Sequence, residues 1–152
     1  MLLGWTFNRA FDQMPLVAVI DGMTFCVHGG IPRFLSQDPK ANILNAIREI
    51  KRPLNGDHLD EVSQIAYDLL WSDPARQGTP PALFNGTDNF PTGFCESHRG
   101  LLACEWSPNM TNEFFRRTGV IKIVRAHQPP DVSAVVVLFL KIIKQKTAWN
   151  QT

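Results

Sequence analysis

A chain of 152 residues, 44% of them hydrophobic, is long enough to bury one sizeable core and too short for two ordinary domains. Its 15 Lys and Arg offset 14 Asp and Glu to a net charge of +1, and the basic residues are scattered, which argues against a nucleic-acid partner. No apolar stretch reaches the roughly 20 residues that a membrane span needs, and the three cysteines, Cys26, Cys95 and Cys104, form no Cys-x-x-Cys pair, which fits a reducing intracellular setting, cytoplasmic or nuclear.

Phe7, Phe11 and Met14 recur at helical spacing and predict a short amphipathic helix that ends before Pro15. Two apolar runs, Leu16 to Ile20 and Thr24 to Val27, flank Asp21-Gly22, a dipeptide that supplies positive φ for a tight hairpin turn. The second run ends in His28-Gly29-Gly30, so an imidazole leaves a strand beside backbone that carries no Cβ, where the chain can turn sharply and an oxyanion or metal-bound ligand can come close. The same string also suits a core strand capped by a flexible turn. Ile43, Leu44, Ile47 and Ile50 share one face of a predicted helix, and Val62, Ile65, Ala66, Leu69 and Leu70 share one face of another, with Asp60 and Glu61 at its N-terminus. That helix ends at Trp71-Ser72-Asp73-Pro74.

From Ala75 to Pro91 the composition turns to Gly, Pro, Asn and Thr, which predicts a long surface loop. Strand character returns around Leu101 to Cys104. Ser107-Pro108 and Gly119 bracket a helix carrying Phe114 and Phe115. A strand over Val120 to Val124 then runs into Arg125-Ala126-His127-Gln128, so a second histidine stands where a strand runs out. Two histidines at the C-terminal ends of strands in an α/β pattern follow the positional logic of an open-sheet active site, although either one alone also suits a core histidine bonded to backbone.

Together the blocks Phe11 to Gly30 (FDQMPLVAVIDGMTFCVHGG), Ile47 to Pro53 (IREIKRP), Leu69 to Pro74 (LLWSDP) and Val124 to Gln128 (VRAHQ), with His98-Arg99-Gly100 before the last, resemble the PPP-type serine/threonine protein phosphatases. The resemblance implies an α/β fold, a metallophosphoesterase-type β-sandwich of mixed sheets flanked by helices, incomplete here. It implies phosphomonoester hydrolysis on phosphoserine and phosphothreonine proteins, with regulatory subunits as possible partners, by a water activated at two divalent cations, manganese, iron or zinc. His28 and His127 match ligands of the second metal, and neutral imidazole is a suitable donor for such ions. Arg99 matches the arginine that holds the phosphate, where a guanidinium fork binds two oxygens at once. Asp73 matches the acidic residue of the loop lining the cleft. Trp71 reads as core packing, and His58 and His98 as solvated loop residues.

The family's Gly-Asp-x-His-Gly, Gly-Asp-x-Val-Asp-Arg-Gly and Gly-Asn-His-Glu motifs, which bring the first metal's ligands and the bridging aspartate, do not occur in this sequence. The expectation is therefore a partial catalytic domain over 1–128, lacking its N-terminal half, followed by a divergent tail over 129–152. It holds at most one divalent ion and is inactive alone. The alternative is a non-catalytic pseudophosphatase or partner-binding fragment.

Overall fold

The computed structural model describes residues 2–54, 60–100, 102–128 and 141–144. The first helix, α1 (Leu2–Phe11), precedes the hairpin of β1 (Val17–Ile20) and β2 (Thr24–Val27). Asp21 and Gly22 both take positive φ, 53° and 66°, and the Met23 N–H donates to Ile20 O, so the Asp-Gly dipeptide makes the tight turn its sequence predicts. Helices α2 (Phe34–Gln37), α3 (Ile43–Arg48) and α4 (Glu61–Trp71) follow. The Asn42 and Asp60 side chains accept from the third residue onward and start α3 and α4 as N-caps. The chain continues through β3 (Asp73–Pro74), β4 (Phe94–Glu96), β5 (Cys104–Trp106), α5 (Pro108–Thr118), β6 (Lys122–Arg125) and β7 (Lys141–Lys144). Gly119 closes α5 in the left-handed conformation, as a helix-stop glycine does.

The strands form two sheets, β1-β2-β6-β7 and β3-β5-β4. In the first, β2 pairs β6 in parallel with Val27 opposite Arg125, and both neighbours are antiparallel. That parallel register decides the site, because strands that run the same way deliver their following residues, His28 and His127, to the same sheet end. Helices and the second sheet come between β2 and β6 in the chain, and the core packs among them. Phe25 meets Phe114 edge to face at 4.9 Å, with Leu69, Phe94, Trp106 and Ile123 fully or almost fully buried nearby in the same cluster. Burying one such side chain contributes about 1.5–3 kcal/mol.

Several expectations change here. The predicted loop is ordered in part by a 3-10 helix over Pro81–Phe84, and it buries Phe84 and Phe90, because isolated aromatics anchor a segment otherwise too polar to fold inward. Strand β5 begins only at Cys104. The helical apolar face is real, yet Phe7, Phe11 and Met14 are each more than half exposed among the described residues. Gly29 and Gly30 are packing requirements rather than left-handed turn residues: a Cβ on Gly29 would sit 2.5 Å from the Leu70 backbone, and one on Gly30 2.0 Å from the Trp106 ring. His58 and the apolar run 134–140 lie outside the described residues.

Candidate active site

The two histidines meet. His28 follows β2 and His127 follows β6, and His28 Nε2 lies 3.1 Å from His127 Nδ1, the rings edge to face at 4.9 Å. His28 is exposed and the His127 side chain is 7% exposed. His127 adopts φ +70°, a left-handed backbone that costs a non-glycine residue about 1–3 kcal/mol and concentrates at functional sites. Burial lowers its pKa below the ordinary imidazole value; Arg99, His28 and Arg125 push the same way against Asp73, so the ring is held neutral.

Asp73, at the end of α4's exit turn, is fully buried rather than lining an open cleft. Arg125 Nη2 donates to its Oδ1 at 2.5 Å and Arg99 Nε to its Oδ2 at 2.6 Å, so each carboxylate oxygen faces one guanidinium. Arg99 also donates from Nη2 to His127 O at 3.3 Å, and its side chain is 27% exposed. Among the described residues no protein group takes its Nη1. All four residues singled out by the sequence, His28, Asp73, Arg99 and His127, thus lie in one chain of contacts.

Two neighbours went unassigned. Arg125 is wholly buried and donates to Gly29 O, Ser72 O, Asp73 Oδ1 and Gln128 Oε1, tying together the three segments that carry His28, Asp73 and His127. The signal was present in the strand alternation, which puts Ile123 and Arg125 on the same inward face. Trp71, expected in the core, is 44% exposed and stands edge-on to the His127 ring at 5.5 Å, braced by Tyr67 at 6.1 Å. It reaches outward because it is the last residue of α4, where the helix turns toward the site. His98 is exposed, as expected of a solvated loop residue, and its Nδ1 lies 3.2 Å from the buried Glu105 carboxylate.

This geometry can be set beside known proteins. The family model for calcineurin-like phosphoesterases matches residues 2–131. The chain belongs to that family. It is 29% identical over 123 residues to the serine/threonine-protein phosphatase 2B catalytic subunit A1 of Saccharomyces cerevisiae, covering 81% of this chain and 20% of that protein. It is 32% identical over 122 residues to a serine/threonine-protein phosphatase of Caenorhabditis elegans, covering 80% and 21%. Among solved structures, a serine/threonine phosphatase from Saccharomyces cerevisiae with similarity to human phosphatase PP5 superimposes with a TM-score of 0.60 at 25% identity, over 86% of this chain and 33% of that one. The chain therefore spans about a fifth of the length of these curated relatives, and the fold is the metallophosphoesterase α/β architecture of mixed sheets and helices.

A metallophosphoesterase depends on divalent metal, and the residues present fit one ion in part. His127 Nε2 is buried without a hydrogen-bond partner, and Asp73 Oδ2 is 3.9 Å away, beyond bonding reach. On the other side of the ring, His127 Nδ1 lies 3.1 Å from His28 Nε2, and these two nitrogens would be the ones to hold an ion. Among the described residues no group of three or more His, Cys, Asp or Glu could hold an ion. The pair suits two ligands of one cation, and the described residues supply no carboxylate to bridge a second. No described helix is long and apolar enough to cross a membrane.

Proposed function

We propose that this chain carries the second-metal and phosphate-binding side of a serine/threonine protein phosphatase, an enzyme that hydrolyses phosphomonoesters on phosphoserine and phosphothreonine proteins in an intracellular setting. The observation that supports it most is the convergence of His28 and His127 to 3.1 Å with Arg99 bonded to the backbone of the second histidine. In this reading His28 and His127 hold one divalent ion, manganese, iron or zinc. When bound, that ion supplies a Lewis acid for the phosphoryl oxygen and a more acidic water.

The chain's own residues do the rest. Arg99 offers a partly exposed guanidinium to the phosphate, and Asp73 orients it through Nε so that its outer edge faces outward. Arg125 holds Asp73 from behind and fixes Gly29 O, so the arginine and the first histidine are positioned from one buried point. Trp71 shields the His127 ring from water and helps to keep it neutral. The segments 1–128 then form the partial catalytic unit, with 129–152 as a divergent extension and regulatory subunits as candidate partners.

A second reading, a non-catalytic partner-binding form, is favoured by one observation: both oxygens of Asp73 are committed to arginines, so this carboxylate is not available as a general base. Calorimetric titration with Zn²⁺ or Mn²⁺, paired with a phosphoserine-peptide hydrolysis assay, separates the two. One ion bound and lost in His127→Ala, with phosphopeptide affinity lost in Arg99→Ala, supports the phosphatase half-site. Peptide turnover well above background would instead show a complete centre, and metal and phosphate both ignored would leave the non-catalytic reading.

A further inference from the structure

The sheet β1-β2-β6-β7 ends on β1, and no strand among the described residues pairs with its outer edge. The run Val17-Ala18-Val19-Ile20 holds neither lysine nor proline, the residues that ordinarily keep a sheet edge from pairing with another chain. Ala18, Val19 and Ile20 are all exposed. The Met23 N–H donates to Ile20 O, so Ile20 and, two residues back, Ala18 turn their backbone groups toward β2, while Val17 and Val19 turn theirs outward.

A cavity of about 380 Å³ opens beside this edge. Pro15, Val17 and Val19, alternate residues on one face, line it together with Ile47 and Arg48 of α3 and with Arg52. Among the described residues no acid does. Arg52 carries the decisive detail. Its Nη2 donates to Phe11 O at 3.3 Å, while its Nε and Nη1 are buried without a hydrogen-bond partner. A guanidinium with two buried donors unspent calls for an anionic acceptor that its own fold does not bring.

We infer that a second copy of this chain covers the edge, β1 against β1 in antiparallel about a two-fold axis, and that its Asp21 supplies the acceptor. Backbone parity restricts the register. Outward-turned residues must face one another, so Val17 stands opposite Val19 of the second copy, Val19 opposite its Val17, and Ala18 lies on the axis. Sliding the copies until Val17 or Val19 lies on the axis would set the other valine against Pro15, which has no N–H, or against the turn at Asp21. In the favoured register Asp21 of the second copy falls opposite Pro15, beside the cavity that Arg52 lines. Asp21 is exposed and continues the alternation of Val17 and Val19. By symmetry the first copy's Asp21 meets the second copy's Arg52.

The occupant of this edge has to be an extended chain, apolar where it crosses the valines and acidic where it reaches Arg52, and β1 with its own turn meets both conditions. The two β2 strands then run in opposite directions. Each His28 and His127 pair therefore sits at its own end of one continuous sheet and stays open, so the inference does not depend on the phosphatase reading.

Sedimentation equilibrium of the full chain tests this, with a dimer expected at micromolar concentration. Val19→Lys puts a charge on the edge and should leave a folded monomer. Asp21→Asn keeps a residue that tolerates the left-handed turn, and Arg52→Gln removes the cation. Each should weaken the dimer about tenfold, and the two together no more than one alone, because they break the same pair. In a Cys26→Ser background, Ala18→Cys should oxidise to a disulfide-linked dimer, since residues on the axis form a non-hydrogen-bonded pair with Cα atoms about 4.5 Å apart. Circular dichroism verifies the fold of every variant, and should Val19→Lys not fold, the Asp21 and Arg52 variants decide. A chain that stays monomeric throughout the micromolar range, a dimer indifferent to a folded Val19→Lys, or independent, additive losses from Asp21→Asn and Arg52→Gln overturns the proposal.

Discussion

His28 and His127 are 99 positions apart in the chain, and their Nε2 and Nδ1 atoms are 3.1 Å apart in space. Neither residue brings this about by itself. The parallel pairing of β2 with β6, Val27 opposite Arg125, sends both chain exits the same way, and Ala126 N–H bonded to His28 O at 3.2 Å extends the ladder one step further. A one-residue slip of register would turn every side chain of β6 to the other face and carry Arg125 out of the core.

The convergence makes metal binding a property of the pair. A single Zn²⁺ or Co²⁺ is expected per chain, and His28→Ala or His127→Ala should each weaken it by about 10–100-fold or more. Titration calorimetry gives the stoichiometry. Two tightly held ions would mean that donors beyond this pair take part.

Asp73 is the electrostatic keystone of the site's stability. It is wholly buried against Arg125, which is wholly buried too, so Asp73→Ala leaves an uncompensated interior cation and is expected to lose about 3–5 kcal/mol in urea denaturation. Arg99→Ala removes the partly exposed partner and should lose only about 1 kcal/mol. Similar losses for the two would show that the burial difference does not govern this network.

Much of this was legible in the chain. The hairpin turn at Asp21-Gly22, the caps at Asp60 and Gly119 and the two strand-end histidines follow from local rules of φ, capping and alternation, and those rules hold here. Arg125 and Trp71 were not legible in the same way. A charge inside a strand becomes a buried hub only because two distant segments bring it three of its four acceptors, and the last residue of a helix faces a site only because of where the next strand lies. The 76–92 segment was opaque for a related reason: Phe84 and Phe90 bury themselves against partners that no local window contains.

The double glycine gives a steric prediction. Gly30→Ala would place a methyl 2.0 Å from the Trp106 ring, and overpacking of this kind costs about 1–3 kcal/mol or more. Gly22→Ala meets open space and is opposed only by its φ of +66°, about 1 kcal/mol. Thermal melts of both variants should rank Gly30→Ala as the more damaging, with loss of metal binding as His28 shifts. The reverse order would mean that the Trp106 ring yields.

The thiols give the pH dependence. Burial pushes the Cys95 thiol up to about 11, with Glu105 and Glu96 adding to it, and burial also raises the Cys104 thiol well above its ordinary value, with Asp68 beside it. Raised folded-state values mean that the native chain favours the protonated thiols. That stabilisation is fully present below the ordinary thiol range near pH 9 and is lost as the pH climbs through about 11. At pH 8 roughly one Cys95 in a thousand is thiolate. Ellman's reagent should therefore react quickly with one thiol in the native chain, the half-buried Cys26, and with all three in guanidinium. Cys26→Ser should abolish the fast phase. Three fast thiols at pH 8 would show that the β4–β5 ladder opens on the timescale of labelling.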